Sequence, residues 1–140
     1  MDAQQSSGTE EAGKAPGYTS GVCNIGKAEI ANRRVFGHMG VLVAAVLFDL
    51  FLFSNAPHAW RLLVALPAAA AAIGYLQARS HFCAGLGSRG VYNFGPLGQR
   101  TQVADDADRK RDFRRSRLMA LQALSIGAAV GVILALLPVR

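Results

Sequence analysis

The sequence predicts an all-α integral membrane protein: a bundle of three transmembrane helices with a short N-terminal interfacial helix and a Gly-rich cytoplasmic loop. Three observations predict it. Apolar runs occupy about residues 35–54, 59–76 and 118–138, each close to the roughly 20 residues that carry a helix across a bilayer core. Basic residues fence the runs, with Arg33 and Arg34 before the first, Arg79 after the second and Arg109–Arg117 before the third. Charged residues make up only 17% of the chain and apolar ones 51%, whereas a soluble domain is roughly 25% charged. At 140 residues there is room for one domain, read as a disordered tail over 1–20 and a membrane domain over 21–140.

The formal charge of +6 would suggest a nucleic-acid partner in a soluble protein. Here the cations gather beside the apolar runs, where anionic headgroups and the positive-inside rule account for them. The expected partners are membrane lipids and a membrane protein or a second copy of the chain, not nucleic acid. Two cysteines, Cys23 and Cys83, make no disulfide framework. The first apolar run starts well inside the chain and lacks a small-residue cleavage site after it, so it reads as a retained helix.

Met1–Ser20 has almost no large apolar residue and cannot bury enough surface to offset its ordering entropy. Cys23–Arg34 places Ile25, Ala28 and Ile30 on one side and Lys27, Glu29, Arg33 and Arg34 on the other. It reads as the interfacial helix, with Asn24 as its cap.

The first span, VFGHMGVLVAAVLFDLFLFS, carries Gly37, Gly40, Ala44 and Ala45, small residues that let helices approach. It also carries Asp49. A carboxylate inside a span must find a partner, and Arg61 or His58 beyond the Asn55–His58 turn is the expected one. Pro67 interrupts the second span, so a kink is expected near Leu63–Pro67. Trp60 and Tyr75 suit the two interfacial belts. The Gly-rich stretch Gln77–Arg100, with Phe82, Tyr92 and Phe94 among arginines, reads as a loop lying on the interface.

Asp105, Asp106 and Asp108 precede the basic stretch, and acids first with bases later suit a helix dipole. A helix is therefore expected from near Asp105 straight into the third span. Arg109, Lys110, Arg111, Arg114, Arg115 and Arg117 read as a lipid-headgroup anchor. Gly127 and Gly131 form a G-x-x-x-G that permits close helix contact, within the chain or between protomers.

Of the 15 Lys/Arg, only Arg61 and Arg140 fall on one side of the three-span scheme; the others share the opposite side. The N-terminus is therefore expected in the cytoplasm and the C-terminus outside, in a bacterial plasma membrane. Antiparallel spans then bring Cys23 and Cys83 to the cytoplasmic face, near His81 and His38. Thiols and imidazoles there suit thiol exchange, sulfur relay or a soft metal. No motif identifies a cofactor or a catalytic set, so the cofactor stays unknown.

A set of short motifs resembles a known family. Asn24–Ile25–Gly26, then Glu29, Arg33 or Arg34 and Gly37, an apolar hairpin, and Phe82–Cys83 before a Gly-rich end resemble a small bacterial inner-membrane hairpin domain of unknown function, sometimes fused behind a rhodanese domain. The resemblance spans about residues 23–87. Ala84 stands where the family commonly has proline, and Ile30 where it often has arginine. The third span and the VYNFG segment are additional, and no rhodanese domain is present. The resemblance implies a membrane hairpin and hints at sulfur chemistry through Cys83. The function expected first is a non-enzymatic accessory or scaffold subunit of a larger membrane assembly. A thiol-dependent role of Cys23 and Cys83 comes second, and a homo-oligomeric transporter around Asp49 third.

Overall fold

A computed structural model describes residues 16–139. Three helical stretches, Lys27–Phe53, His58–Ser80 and Asp106–Leu136, are long and apolar enough to cross a membrane. Helix α1 (Lys27–Phe53) is 27 residues long, about 40 Å at 1.5 Å per residue. It starts from Gly26 in an extended conformation, without a side-chain cap. The interfacial helix expected over Cys23–Arg34 is thus absent as a separate element: its second half is the first two turns of α1 and its first half is extended chain. Asn24 caps nothing, because its amide is taken by Cys83, as described below.

Asn55, at φ 51°, turns the chain back. A 3₁₀ segment follows over His58–Val64, and α2 runs over Ala65–Ser80. The break between them is the structural consequence of Pro67. In the first turn of α2 the missing proline N–H has no intrahelical acceptor to lose, so the chain enters the α-helix just ahead of the proline. Helix α2 ends at His81, which takes a left-handed conformation at φ 53°.

The stretch Gln77–Arg100, expected to lie as a loop on the interface, is instead folded: Gln77–Ser80 end α2, and residues 81–105 form a small compact segment. Helix α3 (Ala84–Ser88) leads to β1 (Val91–Tyr92), which pairs antiparallel with β2 (Thr101–Gln102). Phe82 and Tyr92, expected to face headgroups, are buried. Helix α4 (Asp106–Leu136) then runs unbroken for 31 residues, its N-terminus capped by Asp105, which accepts from the Ala107 N–H at 2.9 Å.

Close approach organises the long helices. A Cβ at Gly40 would sit 2.6 Å from the Ala71 nitrogen, and one at Gly74 2.7 Å from the Gly37 nitrogen. Backbone therefore meets backbone along the α1–α2 seam, as small residues permit. On its other side α2 receives α4: a Cβ at Gly127 would lie 2.5 Å from the Ala65 carbonyl oxygen, and one at Gly131 2.8 Å from the Ala65 Cβ. The G-x-x-x-G is used within the chain. Helix α2 is thus the middle member, and α1 and α4 hardly meet.

The buried residues of α4 are Asp108, Asp112, Ser116, Met119, Ala123, Gly127 and Gly131. Steps of three and four put them on one stripe. Its first half is polar and faces the folded segment; its second half is small or apolar and faces α2. Most large apolar side chains on the other faces are exposed, including Val35, Leu42, Val46, Leu66, Leu124 and Ile133. An apolar exterior over polar interior contacts suits a hydrocarbon surround.

Candidate functional site

The chemistry-bearing residues concentrate at one end of the three helices, in a cap built from residues 16–26, 81–105 and the start of α4. Asn24 is its central clip. It is 0% exposed. Its Oδ1 accepts from the Cys83 N–H at 2.6 Å and its Nδ2 donates to the Cys83 carbonyl at 3.1 Å. Its own N–H donates to the His81 carbonyl at 3.1 Å, and its carbonyl accepts from the Asn93 N–H at 2.9 Å. One side chain therefore satisfies the buried Cys83 N–H, which has no backbone partner, and adds a second donor to the Cys83 carbonyl, which also accepts from the Gly87 N–H at 2.9 Å as α3 begins.

Asn93 repeats the device. Its Nδ2 donates to Glu29 Oε1 at 3.1 Å and to the Pro96 carbonyl at 2.9 Å, and its Oδ1 accepts from the Gly95 N–H. The other Glu29 oxygen accepts from Arg33 at 3.1 Å. A buried acid in the first turn of α1 thus answers the positive end of the helix, the cap and a cation together.

The third clip joins the N-terminal segment to α4. The Tyr18 hydroxyl donates to Asp112 Oδ2 at 2.8 Å and the Gly21 N–H to Oδ1 at 2.6 Å. Tyr18 stacks on Tyr92 with centroids 4.8 Å apart, and both pack with Val103. Asp112 lies ahead of the apolar part of α4 and is 0% exposed. Burial pushes its carboxyl above the usual carboxylate range, against the lowering effect of the Gly21 and Tyr18 donors, and the charge of Asp108 pushes it the same way as burial. Burial and the bond to Asp112 push the Tyr18 hydroxyl far up as well, so it stays a donor. The predicted tail is corrected here: residues 16–20 are part of the cap, while 1–15 lie outside the described residues.

Cys23 and Cys83 are free thiols on segments that these bonds hold side by side. Their environments differ. Cys83 is 3% exposed and packs with Ile25 and Leu86, so its sulfur sits in apolar surroundings. Cys23 is half-buried, with its Sγ 3.9 Å from the Ile25 carbonyl. His81 is exposed at the C-terminus of α2, and His38 Nδ1 meets the Tyr75 hydroxyl at 2.7 Å. Among the described residues no group of three or more His, Cys, Asp or Glu could hold a metal ion.

At the opposite end the expected charge pair is corrected. Arg61 is 3% exposed, and its guanidinium donates to the carbonyls of Leu137 at 3.0 Å and Val139 at 2.8 Å. His58 Nδ1 lies 3.3 Å from the Ala135 carbonyl. Asp49 is exposed and has no ion-pair partner among the described residues. The physical reason lies at the end of α4. The carbonyls in and just past its last turn have no intrahelical donors and lie at the negative end of the helix dipole, and the 3₁₀ segment brings the Arg61 guanidinium to Leu137 and Val139 and the His58 ring to Ala135.

The basic residues of α4 surround its buried stripe. Arg109, Lys110, Arg111, Arg114 and Arg117 are exposed and Arg115 is half-buried. Arg109 pairs with Asp106, and Arg111 lies 3.7 Å from Asp108. Two grooves open around the cap. One, of about 530 Å³, is lined by Arg34, His38, Tyr75, Ala78, Arg79 and His81. The other, of about 510 Å³, is lined by Ser88, Arg89, Gly90, Asp106, Arg109, Lys110 and Phe113.

Sequence reasoning missed Tyr18, Asn93 and Asp112. Tyr18 alone carried a signal, as the one aromatic in the first 20 residues. Comparisons with protein families, curated proteins and solved structures find no match to this chain.

Proposed function

We propose that the chain is a non-enzymatic accessory or scaffold subunit of a larger membrane assembly. Three helices hold it in a bacterial plasma membrane, and the cap lies on the cytoplasmic side, where the Lys/Arg excess puts it. One observation carries the reading. The buried polar side chains of the cap, Asn24, Asn93, Glu29 and Asp112, spend their hydrogen bonds on backbone, on one another and on the neighbouring Tyr18 and Arg33. Such a network fixes a surface. The small-residue seams are used inside the chain, which leaves the exposed helix faces for lipid or a partner.

The resemblance to small inner-membrane hairpin domains supports the same reading. Asn24, Glu29, Gly37 and Cys83, which carry it, are residues at which the first hairpin closes, and in that role Cys83 serves packing.

The test is mild detergent extraction from native membranes, crosslinking through Lys27 and Lys110, and mass spectrometry. The reading expects one membrane protein recovered in fixed ratio and crosslinked to the cap. Recovery of the chain alone, with loss of cellular function in Cys23→Ser, would replace it by a thiol-dependent role. Loss on Asp49→Asn with expression and assembly unchanged would favour transport.

A further inference from the structure

The groove between α1 and α2 has a composition that neither the clips of the cap nor the scaffold reading explains. Arg34 and His38 are four residues apart on α1, and Tyr75 and Arg79 four apart on α2, so each pair shares a helix face. With His81 they line one opening. None of the lining side chains is acidic. Neither Arg34 nor Arg79 has an ion-pair partner among the described residues. The acid nearest in sequence on α1, Glu29, is already taken by Arg33 and Asn93.

The floor of the groove is built. The Tyr75 ring lies across α1 because residue 37 is glycine: a Cβ there would meet Tyr75 Cε1 at 3.0 Å. The phenol oxygen holds His38 Nδ1 at 2.7 Å, and the imidazole meets the ring edge-on with centroids 5.4 Å apart. Two guanidinium groups and a positioned imidazole, with no competing carboxylate, suit a phosphate oxygen set. The charge of two arginines also outweighs the roughly half-unit negative end of α2.

Depth identifies the source of that phosphate. Arg34 immediately precedes the apolar run of α1, and Arg79 follows that of α2. From there into the span, Val41 and Leu42 are exposed on the face that carries His38, beside the small residues Ala68 and Ala72 on the face of Tyr75. A charged mouth above a shallow apolar channel fits a headgroup with an acyl chain beneath it. A soluble phosphate would use only the mouth.

We propose that this groove binds an anionic glycerophospholipid, with Arg34 and Arg79 on the phosphodiester, His38 and His81 beside it, and one acyl chain along Val41 and Leu42. The proposal rests on the membrane reading. Retention of the chain in phosphatidylcholine vesicles after an alkaline wash tests that reading separately, whatever the headgroup preference.

The experiment titrates the delipidated full chain in detergent with phosphatidylglycerol or with phosphatidylcholine of the same acyl chains, read by native mass spectrometry. Wild type should bind phosphatidylglycerol at least about tenfold more tightly, because both lipids carry the phosphodiester but the quaternary ammonium of phosphatidylcholine neutralises the headgroup and is repelled by the two guanidinium groups. Arg34→Gln with Arg79→Gln should bring the two lipids to within about twofold, roughly a third of that tenfold step on the free-energy scale. Both residues are exposed, so the fold is not at stake. Arg89→Gln with Arg100→Gln removes the same charge from exposed positions elsewhere on the cap and should keep the preference. Three results would overturn the proposal: no preference in wild type, equal loss in both double variants, or displacement of the lipid by inorganic phosphate at comparable concentration.

Discussion

Replacing Gly74 with alanine should prise α1 from α2. The added Cβ would lie 2.7 Å from the Gly37 nitrogen, 2.8 Å from the Gly37 Cα and 2.9 Å from the Arg33 carbonyl oxygen. All three are backbone atoms of a helix, so no rotamer change relieves the clash. Ordinary contact lies near 3.5–4.0 Å, which requires the helices to part by about 0.7–1 Å at this point. The opening spreads along the seam to Gly40 and Ala71. Overpacking of this kind costs about 1–3 kcal/mol, and the better helix propensity of alanine returns at most about 1 kcal/mol. With the full return a net loss of up to about 2 kcal/mol remains, about 1 kcal/mol at the middle of the range. Gly85 supplies the control, since a Cβ there meets only Cys83 Sγ, at 3.8 Å. Thermal unfolding in detergent micelles, followed by circular dichroism, reads the difference. At roughly 3–5 °C per kcal/mol for a chain of this size, Gly74→Ala should melt about 3–5 °C lower, and Gly85→Ala at or above the wild-type temperature. Equal melting temperatures for the two variants would refute the close-approach argument.

Other expectations concern the clips. Asn24→Ala leaves the buried Cys83 N–H without a partner, at about 1–3 kcal/mol, while the Cys83 carbonyl keeps the Gly87 N–H. In a Cys23→Ser background, maleimide should therefore modify Cys83 faster than it does with Asn24 present, and an unchanged rate would count against the clip. Asp112 titrates above the ordinary carboxylate value because it is buried, so the folded state holds its proton more tightly than the unfolded chain, where the pKa is about 3.9. Its ionisation costs stability as pH rises through the raised value. Wild type should thus gain on Asp112→Asn as pH falls from 7 toward that ordinary value, and melting curves showing the opposite trend would contradict the assignment. Arg61→Lys loses the fork that holds the Leu137 and Val139 carbonyls. Amide exchange at the end of α4 should quicken while that of α1 stays as it is; equal exchange in variant and wild type would show the fork to be dispensable.

The three long apolar helices could be read in the sequence because hydropathy is a local property. So could the start of α4, where Asp105, Asp106 and Asp108 signal a helix N-terminus by themselves. The cap could not. Asn24 meets Cys83 across 59 residues, and Tyr18 meets Asp112 across 94. No periodicity encodes those pairings. Asn24 stands where an asparagine commonly caps a helix, but two buried backbone groups of Cys83 compete for its amide and take it. The Gly-rich segment lacks a repeating apolar pattern, yet it folds because Phe82 and Tyr92 bury themselves against α3, α4 and the N-terminal segment. The pairing expected of Asp49 fails for a related reason. Arg61 is near it in sequence, but the carbonyls at the end of α4, more than 70 residues away, are nearer in space. The arginine groove combines both situations: each basic residue is visible in the sequence, and only the antiparallel α1–α2 contact sets Arg34 and Arg79 about one opening.

The most direct measurement of the central claim, three spans with the cap in the cytoplasm, is the sidedness of the two ends. With Cys23 and Cys83 replaced by serine, single cysteines at Ser20 and beyond Arg140 would be probed with a membrane-impermeant maleimide in intact cells and in inverted membrane vesicles. The account predicts that the cysteine after residue 140 reacts in intact cells, and the one at Ser20 only in inverted vesicles. Labelling of both ends from the same side would contradict the three-span arrangement, and labelling with the sides exchanged would place the cap outside the cytoplasm.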